Sequence, residues 1–326
     1  MRALLLSLPV LALGAATTVA PSAAQEVEWT MASGYPDSNF HTENLRFFVD
    51  QVEQATDGQL AIDLHSNQSL FKLPEIKRAV QTGQVQIGEL LLVQFGNEDP
   101  FFEVSAVPML ADTYEEAAEL WELSGPVIGD RLAKQGAKLL FGVPWPVQGF
   151  YANNPIDSAA DVAGQKFRAY SAVTARMAEE LGMIPATIAS SEIPQAFATG
   201  LVSVMYTSPQ TGIDTQAWDF TQHFVNVGGN FSMNVVIVNQ DAFDELTPEL
   251  QDAVLEAADQ AEQRGWKMSE EVTAEQIATL KENGLNVSDP TPEFLAELQE
   301  VGDTLTKEWV ERAGPTGEEI VQKLTQ

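Results

Sequence analysis

The chain of 326 residues contains no cysteine, which excludes disulfides, thiolate metal sites and cysteine nucleophiles together. Basic residues are scarce: 17 Lys and Arg stand against 47 Asp and Glu, a formal net charge of −30 with histidine neutral. Binding to nucleic-acid phosphates or anionic lipid headgroups needs clustered Lys and Arg, so neither is an expected partner. Histidine is rarer still, with three residues at His41, His65 and His223. None lies one helical turn from another, so no paired-histidine metal site is legible, and no metal or cofactor is expected. The chain also lacks a G-x-S-x-G elbow, a G-x-G-x-x-G loop and a Walker loop. Its many carboxylates identify no acid/base pair, because in so acidic a chain most of them are solvated surface. A triad assembled from residues distant in sequence stays open.

What is present has ordinary globular proportions, with 44% hydrophobic and 20% charged residues. The length exceeds what one core usually covers, which predicts two lobes. Arg2, an apolar run from Ala3 to Leu13, and Ser22-Ala23-Ala24 predict a signal peptide over 1–24 with cleavage after Ala24. Past it, no apolar run reaches the ~18 residues of a membrane span. The mature protein is therefore expected to be exported and soluble.

Residues 27–33 predict a strand. From near His41 a helix presents Leu45, Phe48, Val49 and Val52 on one face, and Asp57-Gly58 stops it. Leu60, Ile62 and Leu64 alternate as a strand, and a short helix over 74–82 and an apolar strand over 85–93 repeat the β-α-β unit. Residues 113–135 read as helical, interrupted at Gly125-Pro126, and 137–143 as the next strand. Pro144, Pro146 and Gly149 mark a rigid crossing to a second lobe, which holds strands over 165–170 and 186–188 and helices over 173–181 and 192–199. A strand over 235–239 returns to the first lobe. Thr247-Pro248-Glu249 and Thr291-Pro292-Glu293 each combine a hydroxyl N-cap, a proline suited to the first helical position and an acid on the positive end of the helix dipole. Between them Gly284 ends one helix and a short strand over 285–287 follows. A helix approaching 35 residues, ~50 Å long, is too long for one small lobe and is expected to brace both. The expected division is a first lobe of 25–147 plus about 239–280, a second of 148–238, and C-terminal helices of 281–326 packing across the two.

Residues 155–200 carry S-x-x-D-[LV]-x-G-x-K-x-R ending at Arg168, a helix ending in Leu181-Gly182, and P-x-x-[IM]-x-x-x-E around Glu192. With the T-x-G-x-[LI]-x-I pattern at 56–62 and V-N-x-x-x-[FY]-x-x-L at 238–246, this resembles the solute-binding proteins of tripartite ATP-independent periplasmic (TRAP) transporters, the DctP-type family. The resemblance covers nearly the whole mature chain. It implies an α/β periplasmic-binding-protein fold with two lobes, mixed sheets, hinge strands and a long bracing helix. It also implies a receptor rather than an enzyme, working as a monomer in the periplasm of a Gram-negative bacterium and delivering an organic acid to small and large membrane subunits. In that family the arginine matching Arg168 pairs with the ligand carboxylate. The residues by themselves leave two roles open: Arg168 lies in an apolar-flanked strand, where a charge needs a reason, and its guanidinium is either a planar fork for a carboxylate or a structural salt bridge or strand-end arginine.

Gln148 stands where sialate-binding members carry a second arginine, and Thr207 where some carry a ligand-binding asparagine. Trp145, Tyr170 and Phe231 are candidate apolar walls, joined by Tyr35 and by Leu91 within the run Leu90-Leu91-Leu92. Trp218 is left between a ligand contact and a structural role. One evident counter-charge predicts a monocarboxylate with an apolar body, an aromatic or 2-oxo acid among them, over a dicarboxylate or sugar acid. Two rivals remain: an ABC-type or tripartite-tricarboxylate receptor, and a secreted lyase or hydrolase with an unrecognised site.

Overall fold

The computed structural model describes residues 27–324. The signal-peptide segment and its cleavage site lie outside the described residues. The chain opens with β1 (Val27–Ala32), α1 (Phe40–Ala55) and β2 (Leu60–His65). The helical stripe buries Leu45, Phe48 and Val52, with Val49 half-buried at its margin. Asn39 caps the helix, its side-chain oxygen accepting the His41 backbone N–H at 2.9 Å. α2 (Leu73–Gln81) and β3 (Ile87–Leu91) complete the second β-α-β unit, and two 3₁₀ turns follow at Leu92–Phe95 and Pro100–Ala106.

α3 (Tyr114–Ala133) corrects one expectation, because it runs unbroken through Pro126. A proline in a helix interior costs about 3 kcal/mol. Here Leu120, Ser124, Ile128 and Leu132 bury the same face on both sides of it, so tertiary packing overrides the local break. Next come β4 (Ala137–Pro144), β5 (Gly149–Ala152), β6 (Lys166–Ala169), α4 (Ala172–Glu180), β7 (Ile184–Thr187) and α5 (Ile193–Ala198). β8 (Val204–Thr207), α6 (Pro209–Asp214), β9 (His223–Val225), β10 (Met233–Asn239) and α7 (Gln240–Asp244) lead to α8 (Pro248–Glu282). β11 (Asn286–Ser288), α9 (Pro292–Ala313) and α10 (Pro315–Leu324) end the described chain. Both Thr-Pro-Glu sequences start helices as expected, with Thr247 and Thr291 as N-caps and the prolines in the first turn.

The strands form two mixed sheets, ordered β2-β1-β3-β10-β4 and β11-β9-β5-β8-β6-β7. The fold is α/β and two-lobed. β10 returns antiparallel between β3 and β4, placing Val236 opposite Glu89 and Phe141. β11 joins the second sheet, pairing Val287 with Phe224 of β9. α8, 35 residues long, packs on α1 and β4 in the first lobe and on α6 and β11 in the second. Gly265 permits the first contact, since a Cβ there would lie 2.4 Å from Val143 and 2.8 Å from Asn44.

Candidate functional site: the interlobe cleft

The carboxyl ends of strands from both sheets meet in the cleft, where ligands of open α/β sheets bind. Leu91 closes β3, Thr207 closes β8, and Arg168 and Tyr170 lie at the end of β6. The crossing between lobes contributes Trp145 and Gln148, and the loop after β1 contributes Tyr35. These seven residues line one cavity of about 410 Å³, counted with its opening to solvent. Phe231 does not line it: its ring packs on Tyr114 with centroids 4.7 Å apart, so it is a core residue and the expectation of an apolar wall there is corrected. Trp218 packs against the second lobe's own core, around Tyr151 and Phe224. Of the three leucines, Leu90 and Leu92 are buried in the first lobe and Leu91 alone faces the cavity.

Arg168 is 3% exposed. Its Nε donates to the Ile188 carbonyl at 2.9 Å, and its guanidinium carbon lies 5.2 Å from the centroid of the Tyr170 ring. Burial lowers its pKa to about 10, so it stays a cation at neutral pH. Among the described residues no carboxylate forms an ion pair with it, and its neighbours Tyr170 and Tyr35 are neutral phenols. Burial raises the pKa of both tyrosines.

Two hydrogen-bonded chains run outward from these phenols. The Tyr170 hydroxyl donates to Gln148 Oε1 at 2.8 Å, Gln148 Nε2 donates to Asn230 Oδ1 at 2.9 Å, and Asn230 Nδ2 donates to the Ala106 carbonyl at 2.9 Å. In the other chain the Tyr35 hydroxyl and Trp145 Nε1 both donate to Asn234 Oδ1, at 3.3 and 2.8 Å, and Asn234 Nδ2 donates to Glu89 Oε1 at 2.8 Å. Ser33 Oγ donates to the other Glu89 oxygen at 2.6 Å. Burial pushes the Glu89 carboxyl up to about 7, and His41, whose Nδ1 lies 3.7 Å away, is held neutral by its own burial. Gln94 also lines the cavity, and its buried Oε1 has no partner among the described residues.

Glu89, Asn234, Asn230 and Gln94 are absent from the sequence reading. Glu89 carried a usable signal, a charge inside the apolar run IGELLLV. Asn230 and Asn234 carried none, since nothing in their neighbourhood distinguishes them from other asparagines. Among the described residues no group of three or more His, Asp or Glu side chains is placed to hold a metal ion.

Residues 31–313 match the DctP family, bacterial extracellular solute-binding protein, family 7. The chain belongs to this family. Its members are extracytoplasmic receptors rather than enzymes. Among solved DctP-type structures, an extracytoplasmic solute receptor of Bordetella pertussis binding pyroglutamic acid is 43% identical, with a TM-score of 0.90 over 92% of this chain and 100% of that one. A marine-metagenome TRAP solute-binding protein specific for pyroglutamate is 36% identical, with a TM-score of 0.90 over 92% and 99%. The C4-dicarboxylate-binding periplasmic protein DctP of Rhodobacter capsulatus is 27% identical over 82% of this chain and 81% of its own.

Proposed function

We propose that the protein is the periplasmic receptor of a TRAP transporter and that it captures a small cyclic monocarboxylate, of the pyroglutamate class, between its lobes. The observation that carries this reading is Arg168, a buried cation that faces the cavity and has no carboxylate partner among the described residues. A buried charge without a counter-charge is costly, and a ligand carboxylate on the guanidinium fork offsets that cost with two parallel hydrogen bonds. Arg168 is also the single charged residue lining the cavity among the described residues. The second carboxylate of a dicarboxylate would remain unpaired there, at a cost of several kcal/mol.

The rest of the cavity suits a compact ring. Tyr35, Trp145, Tyr170 and Leu91 supply apolar walls, and Thr207 offers a hydroxyl. The Gln94 amide, whose buried end has no partner among the described residues, is available to a ring carbonyl by turning its NH₂ inward. Two receptors at 43% and 36% identity bind pyroglutamate, which favours this lactam over a flat aromatic or 2-oxo acid. Delivery to small and large membrane subunits follows from the TRAP assignment. A titration series of pyroglutamate, benzoate, succinate and gluconate by calorimetry tests the reading, with pyroglutamate expected to bind most tightly. At 100 times its Kd it should add about 2.7 kcal/mol of thermal stability. Tighter binding of succinate or gluconate would overturn it.

A further inference from the structure

The hydroxyl of Tyr35 can meet a ligand either as a donor or as an acceptor, and a residue outside the cavity decides which. Asn234 is 2% exposed and does not line the cavity. Its amide lies between two groups of fixed polarity. Trp145 Nε1–H, at 2.8 Å, is a donor only. Ionised Glu89, at 2.8 Å on the other side, is an acceptor only. The oxygen of Asn234 must therefore face Trp145 and its NH₂ must face Glu89, because the flipped amide would set donor against donor and acceptor against acceptor. With the oxygen so placed, the Tyr35 hydroxyl gives its proton to Asn234. What remains toward the cavity is the lone-pair side of the Tyr35 oxygen.

Tyr35 belongs to the first lobe and Arg168 to the second. Both line the same cavity, so a ligand whose carboxylate lies on Arg168 and whose body bridges to the first lobe meets Tyr35 there. We propose that Asn234 is a specificity-determining positioning residue: by taking the Tyr35 proton it makes that hydroxyl an acceptor, which selects ligands carrying an N–H beside the carboxylate. The inference rests on the pyroglutamate-class reading of the cleft and adds the reason for preferring a lactam over a ring ketone of the same shape. A ligand with CH₂ in place of N–H leaves the buried phenol oxygen without a partner, and a ligand acceptor at that place meets lone pair with lone pair.

The test compares pyroglutamate with 3-oxocyclopentane-1-carboxylate, which keeps the carboxylate and the ring carbonyl but replaces N–H by CH₂. Calorimetry at pH 8, where Glu89 is ionised, gives the affinity ratio. Wild type should prefer the lactam by about 10-fold or more. Tyr35→Phe should bring the two ligands within threefold, and so should Asn234→Leu, which leaves the phenol proton free to turn inward. The double variant should show no further loss of preference, because both changes act through one oxygen. Asn234→Asp combined with Glu89→Gln, which gives the new carboxylate a donor in place of the Glu89 acceptor and still offers Tyr35 an acceptor, should retain the preference. A merely structural role for Asn234 would weaken both ligands alike and leave the ratio unchanged, and that result overturns the proposal. Should Asn234→Leu not fold, the wild-type ratio still decides, since a preference below threefold refutes it without any variant. Failure of wild type to bind pyroglutamate at all is a different outcome, which removes the functional reading itself and the proposal with it.

Discussion

Replacing Arg168 by alanine separates binding from folding. The guanidinium is 3% exposed, is satisfied on one side by the Ile188 carbonyl, and stacks at 5.2 Å on Tyr170. A ligand carboxylate in this water-poor site forms a desolvated charge pair with it, and loss of one partner of such a pair costs about 2 to 5 kcal/mol, or roughly 30-fold to several thousand-fold in Kd. Stability without ligand should move the other way or barely at all. The substitution removes an uncompensated buried charge, and the one lost bond to Ile188 is worth about 1 kcal/mol. Arg168→Lys should bind nearly as poorly as alanine, because one ammonium cannot hold Ile188 and also present a planar fork to the carboxylate. Calorimetry with pyroglutamate measures the first effect and urea unfolding of the ligand-free variants the second. A Kd for Arg168→Ala within threefold of wild type would refute the reasoning. So would a large loss of ligand-free stability, which would make the arginine a structural residue.

Glu89→Gln should change the pH dependence of stability. Folding raises the Glu89 pKa from 4.5 to about 7, so the folded protein binds the extra proton and stability falls as pH rises through that interval, by an amount on the order of 3 kcal/mol. The glutamine variant should be flat between pH 4.5 and 7 relative to wild type, and an unchanged slope in urea unfolding would count against this account of the buried carboxyl. Asp214→Ala should accelerate ligand release. Asp214, on α6 of the second lobe, accepts from Asn39 Nδ2 at 2.7 Å at the N-terminus of α1 in the first lobe, and its loss strands a buried donor at about 1 to 3 kcal/mol. Stopped-flow kinetics should show koff raised about tenfold with little change in kon, and unchanged release would rule out a latch across the cleft. Gly149→Ala should destabilise the second lobe by about 3 kcal/mol or more, since its Cβ would lie 2.3 Å from the Val225 carbonyl oxygen, which cannot rotate away. Chemical unfolding within 0.5 kcal/mol of wild type, about the scatter of neutral surface changes, would show that β5 and β9 separate easily.

Local physics made much of the architecture legible. Helix-face periodicity placed α1, two Thr-Pro-Glu caps placed the starts of α8 and α9, and the apolar run over 85–93 placed β3. Each of these signals lies within a few residues, where hydrogen-bond and side-chain spacing obeys one period. The G-x-K-x-R run pointed to Arg168 through its resemblance to the ligand-binding arginine of the family. The strands that escaped notice, β5, β8 and β9, have 4, 4 and 3 residues, too few for a period to show. Their existence depends on pairing with one another, Phe150 with Tyr206 and with Val225. Pro126 misled for the opposite reason: the local rule was sound, and burial on both sides of it prevailed. Trp145 and Phe231 looked alike in sequence as aromatic candidates, and only the packing sent one to the cavity and the other onto Tyr114.

By itself, then, the sequence determined the α/β class and the family, because both follow from patterns and motifs among residues close together in the chain, and the resemblance to that family singled out Arg168. The tertiary structure alone decided the polarity of the site. Asn234 bonds to Glu89 across 145 positions and to Tyr35 across 199, and the direction of a hydrogen bond between such distant groups is settled only when the fold has fixed what stands on every side of them.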